Sequence, residues 1–326
     1  PEHDTARGGG TVTAETVRGL KEARFENIEL GEEFGPIEEV VDEYKVKKFA
    51  FMMDDYHPWY FGDSPFGKRI GHAAILANDL LQLFTQVYDP NTVVGLHTQE
   101  ELWFVNPVFV GERVSLYGKY VEKYERRGKG YVVMEADARG ENGRVILRHR
   151  GIEILHIQPG PVVGKSTAET AEKRVTGEYR KDVEPVSRAR QGILPGTPLA
   201  PLVKHVMQDQ IALFSGVGKH LKNIHTDIEV ARKAGLSNTL AQGMMETIYL
   251  TELLTSFFGA SWFTSGWEKM KFTAPVFSGE TITVRGVVTG ETSDDDGMRL
   301  ELEIWIENET GRMTAAGWAS ARVSES

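Results

Sequence analysis

One stretch of this chain is written twice. Pro107-Val108-Phe109-Val110-Gly111-Glu112 returns as Pro275-Val276-Phe277-Ser278-Gly279-Glu280, 168 residues later, and Gly143-Arg144 returns as Gly311-Arg312 at the same interval. Upstream of each copy, His72 and Gln242 open apolar segments 170 residues apart, each two positions after a branched aliphatic residue, Ile70 or Leu240. Three matches in one order at nearly one offset mean a duplication. A period this long means two domains and not a stack of short repeats.

The length agrees: 326 residues accommodate about two domains of ~150 residues each. A formal charge of −10 without a Lys/Arg stripe excludes a nucleic-acid surface, which needs a basic face against phosphate. The basic run Tyr124 to Gly130 is expected to be a solvated hairpin turn. The absence of Cys rules out disulfides, thiol nucleophiles and Cys-ligated zinc. No apolar run approaches the ~18 residues of a membrane span and no signal peptide is visible, so the sequence reads as cytoplasmic. It offers neither a Gly-rich phosphate loop nor a His/carboxylate cluster with ligand spacing, so no cofactor and no metal are expected. Asp294-Asp295-Asp296-Gly297 reads as a hairpin turn and lacks the ligand pattern of a calcium loop.

Each copy has the same order of elements. Residues 1–24, with Gly8-Gly9-Gly10, are expected to form a mobile arm, and short strands and a helix around Val46 to Met53 follow. Ile75, Leu76, Leu80, Leu83, Phe84 and Val87 then recur at helical spacing, predicting a long buried helix from about Ala73 to Val87. Four β-rich runs follow, separated by Asn-Pro, Gly-Lys-Gly and Glu-Asn-Gly turns. One helix and several long antiparallel strands predict an α+β unit whose curved sheet wraps the helix. After a proline-rich connector, residues 158–200, the scheme repeats with a helical segment VKHVMQDQIALFSG, a His-containing turn, the apolar helix METIYLTELLTSFFG and four strands. The expected domains are 25–157 and 201–326.

Asn223-Ile224-His225-Thr226-Asp227 and Ala241-Gln242-Gly243-Met244, set before and at the mouth of the second core helix, give the chain its closest family likeness. It resembles the MaoC-like (R)-specific enoyl-CoA hydratase and dehydratase family, which has a double hot-dog fold. In that family a Ser-Gly-Asp-x-Asn-Pro-Ile-His turn supplies an Asp and a His that handle water. A Gly at an Ala-His-Gly-Met helix entrance gives its N–H to the thioester oxygen. Here Ser215-Gly216, Ile224-His225 and Ala241-Gln242-Gly243-Met244 match, with Gln242 in place of His, and no Asp lies between Gly216 and His225. The first copy keeps Asp55 and Pro58 but has Tyr60 where His belongs, and it keeps His72 where Ala73 replaces the Gly.

The resemblance implies an acyl-CoA substrate and hydration or dehydration of an enoyl thioester. That reaction needs a group to activate water, a group for the α-carbon proton and a donor to the developing enolate oxygen. His225 is the expected acid/base, or else it caps the following segment. Gly243 is the expected oxyanion donor at a helix N-terminus, or else a packing glycine. His220 either replaces the missing Asp or is an exposed loop residue, with Lys219 and Lys222 beside it able to receive a carboxylate or phosphate. Asn223 orients water or the carbonyl, or caps the helix start. Asp55, Tyr60 and His72 are expected to form a second, degenerate site in a half that accommodates the acyl chain, although Asp55 acting with His225 is a further arrangement. A thioesterase and a non-catalytic thioester-binding subunit are the alternative functions for the same fold. With two hot-dog units in one chain, either a monomeric pseudo-dimer or a homodimer satisfies the pairing.

Overall fold

The computed structural model describes residues 19–90, 93, 95–155, 174–216, 222–294 and 296–323. The expected mobile arm, except its last residues, and His220 lie outside them. The described residues form twelve strands: β1 Lys21–Glu22, β2 Glu33–Val40, β3 Tyr88–Asp89, β4 Gly95–Phe104, β5 Arg113–Arg126, β6 Lys129–Arg139, β7 Val145–Leu155, β8 Leu202–His205, β9 Trp267–Phe272, β10 Thr281–Asp294, β11 Gly297–Asn308 and β12 Met313–Arg322. The helices are α1 Glu43–Met53, α2 Pro58–Phe61, α3 Ala77–Leu81, α4 Gln208–Phe214, α5 Ile228–Lys233, α6 Gly243–Phe258 and α7 Trp262–Ser265.

Ten strands form one antiparallel sheet in the order β2-β5-β6-β7-β4-β9-β12-β11-β10-β8. The order is a palindrome in repeat terms, because each strand of the first half has its counterpart at the mirrored place. At the centre β4 pairs with β9, and Glu101 lies opposite Lys269, its own counterpart 168 positions on. The two copies are therefore related by a pseudo-twofold axis through the seam, the arrangement of an isologous dimer built into one chain.

The repeated hexapeptide has the same structural task in both halves. Glu112 accepts a hydrogen bond from the Phe109 N–H at 2.9 Å, and Glu280 accepts one from the Phe277 N–H at 2.9 Å. The preceding Val108 and Val276 carbonyls accept from the Gly71 and Ala241 amides, each at 2.9 Å. The hexapeptide thus ties each helix entrance to its own sheet, which explains why it survives in both copies.

The core helices differ. In α6 nearly every side chain is buried, and Met244, Met245, Thr247, Ile248, Leu250, Thr251 and Leu254 have no exposure. This is a helix enclosed by sheet on all sides. Its first-half counterpart is equally apolar and buried but is not the single helix that the spacing predicts. Residues 73–76 form turns, α3 is five residues long, and Gln82–Gln86 is a 3-10 segment. Asn78 and Asp79 lie inside α3 at half-buried positions, and Asp79 reaches out to Lys45 at 2.6 Å, so burial follows the helical period while a continuous α-helical ladder does not. A second correction concerns the segment before the His turn: Leu202–His205 is an edge strand on β10, and the helix begins only at Gln208. Val203 and His205 face solvent while Lys204 turns inward, an alternation of period two.

Candidate active site

The second-half site is assembled from three short pieces. The first is the end of α4, where Gly216 takes the left-handed conformation at φ 77°. The second is the turn from Asn223 to Thr226. Asn223 Oδ1 accepts from the His225 N–H at 2.9 Å, and the Asn223 carbonyl accepts from the Thr226 and Asp227 amides. Asn223 therefore builds the turn that presents His225, and Asp227 caps α5 through the Glu229 and Val230 amides. The third piece is the entrance to α6. Gln242 is its N-cap residue and donates from Nε2 to Ser215 Oγ at 2.6 Å, locking the helix mouth to the end of α4.

His225 is half-buried, and its Nδ1 lies 2.7 Å from the Leu240 carbonyl. A carbonyl only accepts, so Nδ1 carries the proton and Nε2 keeps its lone pair. Burial pulls the imidazole below its ordinary pKa and the Leu240 contact only partly opposes this. His225 is thus a neutral base with a fixed tautomer. Gly243 is the first residue of α6, where amide N–H groups have no acceptor within the helix and the helix dipole is positive. A Cβ on Gly243 would lie 2.9 Å from three ring carbons of Phe272, so only glycine fits between the helix and β9.

The first-half residues also gather, but differently. Asp55 Oδ2 accepts from the Tyr60 hydroxyl at 3.0 Å and its Oδ1 from the His57 N–H at 3.1 Å. His72 Nδ1 accepts from the Ala74 N–H, leaving the proton on Nε2, which faces Asp55 Oδ2 at 3.4 Å. All three side chains are buried. Burial lowers the His72 pKa to about 3, raises that of Asp55 and raises Tyr60 well above a normal phenol. From the second half, Lys204 on β8 donates to the Met53 and Asp54 carbonyls at 3.0 and 2.7 Å and pairs with Glu252 at 2.7 Å. Glu252 is nine residues beyond Gly243, ~13 Å along α6. The Asp55 cluster therefore sits beside the middle of α6 and not at its N-terminus.

Sequence reading missed Lys204 and Glu252, and it missed a buried polar group at the seam. Glu100 is fully buried on β4, with His149 Nε2 at 3.0 Å and His97 Nε2 at 3.0 Å. Glu268 on β9 is also buried and accepts from Thr251 on α6 at 2.6 Å. The signal was present: Glu100 stands in phase with the inward Leu102 and Phe104, and Glu268 with the inward Met270. A charged residue at an inward position of an alternating strand marks a buried polar site. A groove of about 720 Å³ opens on the outer face of the first-half sheet, between Trp103, Tyr117, Arg139 and Arg148. These four residues stand out of phase with the buried Leu102, Leu116, Ala138 and Leu147, so the groove opens away from the core, and His149 of the Glu100 group is part of its lining. Among the described residues no group of three or more His, Asp and Glu side chains could hold a metal ion, and no helix is long and apolar enough to cross a membrane.

Two curved antiparallel sheet halves joined edge to edge around central helices define a double hot-dog protein. Within it, residues 190–304, the stretch that holds His225 and Gly243, match the family model of the MaoC like domain. Solved structures agree on the fold. A MaoC-like dehydratase superposes with a TM-score of 0.71 at 16% identity, covering 92% of this chain and 100% of that one. A conserved hypothetical protein of Mycobacterium tuberculosis, described as a double hot-dog fold, gives 0.64 at 15% identity over 92% and 98% of the two chains. The peroxisomal multifunctional enzyme type 2 of Drosophila melanogaster gives 0.61 at 16% identity, with 88% of this chain covering 48% of that enzyme. No curated protein sequence matches the chain.

Proposed function

We propose that the protein is a hydratase or dehydratase acting on the double bond of an enoyl-CoA-like thioester. The observation that carries this reading is the pairing of His225 with the entrance of α6. One hydrogen bond to Leu240 fixes the imidazole tautomer with its basic Nε2 free, and the unpaired amide end of α6 begins at Gly243. In the dehydration direction, Nε2 of His225 takes the α-proton of a 3-hydroxyacyl thioester. The negative charge that develops on the carbonyl oxygen is received by the Gly243 N–H, reinforced by the helix dipole. In this reading Asp55, Tyr60 and His72 do not take part in proton transfer at this centre, since they are buried beside the middle of α6, where Lys204 joins the Asp54 carbonyl to Glu252. The broken first-half helix leaves that half to the acyl chain.

The test follows the enoyl-thioester absorbance with a panel of enoyl-CoAs and 3-hydroxyacyl-CoAs. The wild type is expected to change the band, and His225→Ala to lower kcat on the order of 10²- to 10⁴-fold. Gly243→Ala, which forces a methyl into the Phe272 ring, is expected to cost on the order of 10²-fold in kcat together with ~1–3 kcal/mol of stability. A wild type that releases free thiol without changing the double bond would make the protein a thioesterase. Binding without either reaction, unchanged in His225→Ala, would make it a thioester-binding subunit.

A further inference from the structure

The proposed site has one proton carrier where the reaction needs two. His225 takes the α-proton, but no Asp lies between Gly216 and His225, and the buried carboxyl of Glu246 in the first turn of α6 is held by the Thr314 hydroxyl of β12 at 2.7 Å. The other copy supplies a candidate across the seam. His97, on β4 of the first half, packs against Phe272 of the second half, with ring centroids 5.0 Å apart. Phe272 is the residue whose ring touches Gly243. His97 and Gly243 therefore both rest on one aromatic ring.

We propose that His97 is the second acid/base of the site, held in position by Glu100, so that the active centre is completed by residues of both halves. This rests on the hydratase reading above. Three features of the geometry support it. First, His97 Nε2 lies 3.0 Å from Glu100 Oε2 and 3.0 Å from the Gln99 carbonyl. The carbonyl can only accept, which puts the proton on Nε2 and leaves Nδ1 to exchange protons with a substrate. Second, Glu100 has no exposure, and His149 Nε2 fixes it from β7 at 3.0 Å, so the carboxylate cannot swing away. Third, the His97 side chain keeps 13% of its exposure while Glu100 and His149 keep none. The cluster thus opens to solvent at His97.

The groups around His97 also suit the role. Burial opposes the charge on its ring, but the hydrogen bond and charge of Glu100, with Glu153 and the Gln99 carbonyl, raise the pKa above the ordinary value. His225 is shifted the other way. Two imidazoles driven apart in this sense divide the labour of an acid and a base. Three bonds separate the carbonyl oxygen of a 3-hydroxyacyl thioester from its β-carbon. A thioester gripped at Gly243 therefore has its reacting carbons within a few bonds of the Phe272 ring on which His97 rests. In dehydration the Cα–H bond breaks toward His225 Nε2 and its electrons form the Cα=Cβ bond. The Cβ–O bond breaks, and the departing hydroxyl takes the Nδ1 proton of the His97 imidazolium and leaves as water. In hydration the same nitrogen, neutral, takes a proton from the attacking water.

The experiment compares wild type, His97→Ala and Glu100→Gln as full chains with the same enoyl-CoA panel, with thermal unfolding recorded for each. His97→Ala is expected to lose on the order of 10²-fold or more in kcat with KM little changed, and added imidazole to restore part of the loss. Glu100→Gln, a positioning change, is expected to lower kcat less, without the imidazole response. An active wild type with His97→Ala turning over within a few-fold of it would overturn the assignment and leave the hydratase reading intact. Loss of activity in step with a lowered unfolding temperature, unaffected by imidazole, would overturn it as well by making His97 structural. A wild type inactive on every thioester removes both.

Discussion

At the residue scale, the interior around α6 raises the pKa of the carboxyl groups buried there, Glu246, Glu252 and Glu268. Glu246, in the first turn of α6, is 3% exposed and accepts from the Thr314 hydroxyl at 2.7 Å. Burial, with Glu280 adding to it, pushes its pKa up to about 8 against an ordinary 4.5. The sign of the linkage follows. Between pH 4.5 and about 8 the folded chain keeps a proton that the unfolded chain has released, so this group's contribution falls as pH rises, by up to ~1.4 kcal/mol per unit. Glu246→Gln keeps the hydrogen bond without the titration. It is expected to flatten the decline of the unfolding temperature between pH 5 and pH 8 relative to wild type and to unfold higher at pH 8. Curves that stay parallel for the two proteins would show that Glu246 ionises freely in the fold. Nothing in the sequence separates Glu246 from a solvated first-turn acid, which the helix dipole would favour equally well. Its burial is decided by β12, 68 positions away, through Thr314.

At the element scale, much was legible because helix and strand periods are local. Four of the five sheet strands of each half, the hairpin at Arg127-Gly128, the β10–β11 pairing that brings Asp294 opposite Gly297, and α6 follow from alternation, turn residues and a run of apolar positions. The first-half core helix was half legible: its buried face is where the spacing puts it, but only Ala77–Leu81 is α-helical, with turns before it and a 3-10 segment after it. His225 and Gly243 were found through short motifs, whereas Lys204 was read as part of a helix and proved to be the inward residue of an edge strand. Such errors arise because the partner that decides the conformation is distant, here β10 and the carbonyls of Met53 and Asp54. That lysine is also a clasp between copies. Removing it leaves Glu252 and two carbonyls without their donor in a buried place, where breaking a pair costs far more than the pair's net worth. Lys204→Met is expected to lose ~3 kcal/mol in urea unfolding, and Lys204→Met with Glu252→Leu to regain a good part of it. A double variant no more stable than the single one would assign the loss to the carbonyls alone.

At the scale of the whole molecule, the sequence predicts two domains and the structure gives one sheet. The seam between β4 and β9 is an ordinary antiparallel ladder running from Gln99 opposite Lys271 to Trp103 opposite Trp267. Tertiary contacts reinforce it: the Trp267 indole N–H donates to Glu101 at 2.9 Å, and Phe104 of one half packs at a tilt against Trp262 of the other with centroids 4.9 Å apart. Separating the halves would expose two long central strand edges and the buried Glu100 and Glu268 together, a far larger cost than parting two domains across a polar interface. Buried side chains of both copies also form a single core cluster. The chain is therefore expected to unfold in one step despite its length. In scanning calorimetry this means a single peak whose calorimetric and van't Hoff enthalpies agree. Two resolved peaks would mean that the seam opens before either half melts. The same variants used at the residue and element scales sharpen the test, because Glu246→Gln lies wholly in the second half and Lys204→Met between the halves. With one cooperative unit, each moves the whole peak; with two, Glu246→Gln moves only one.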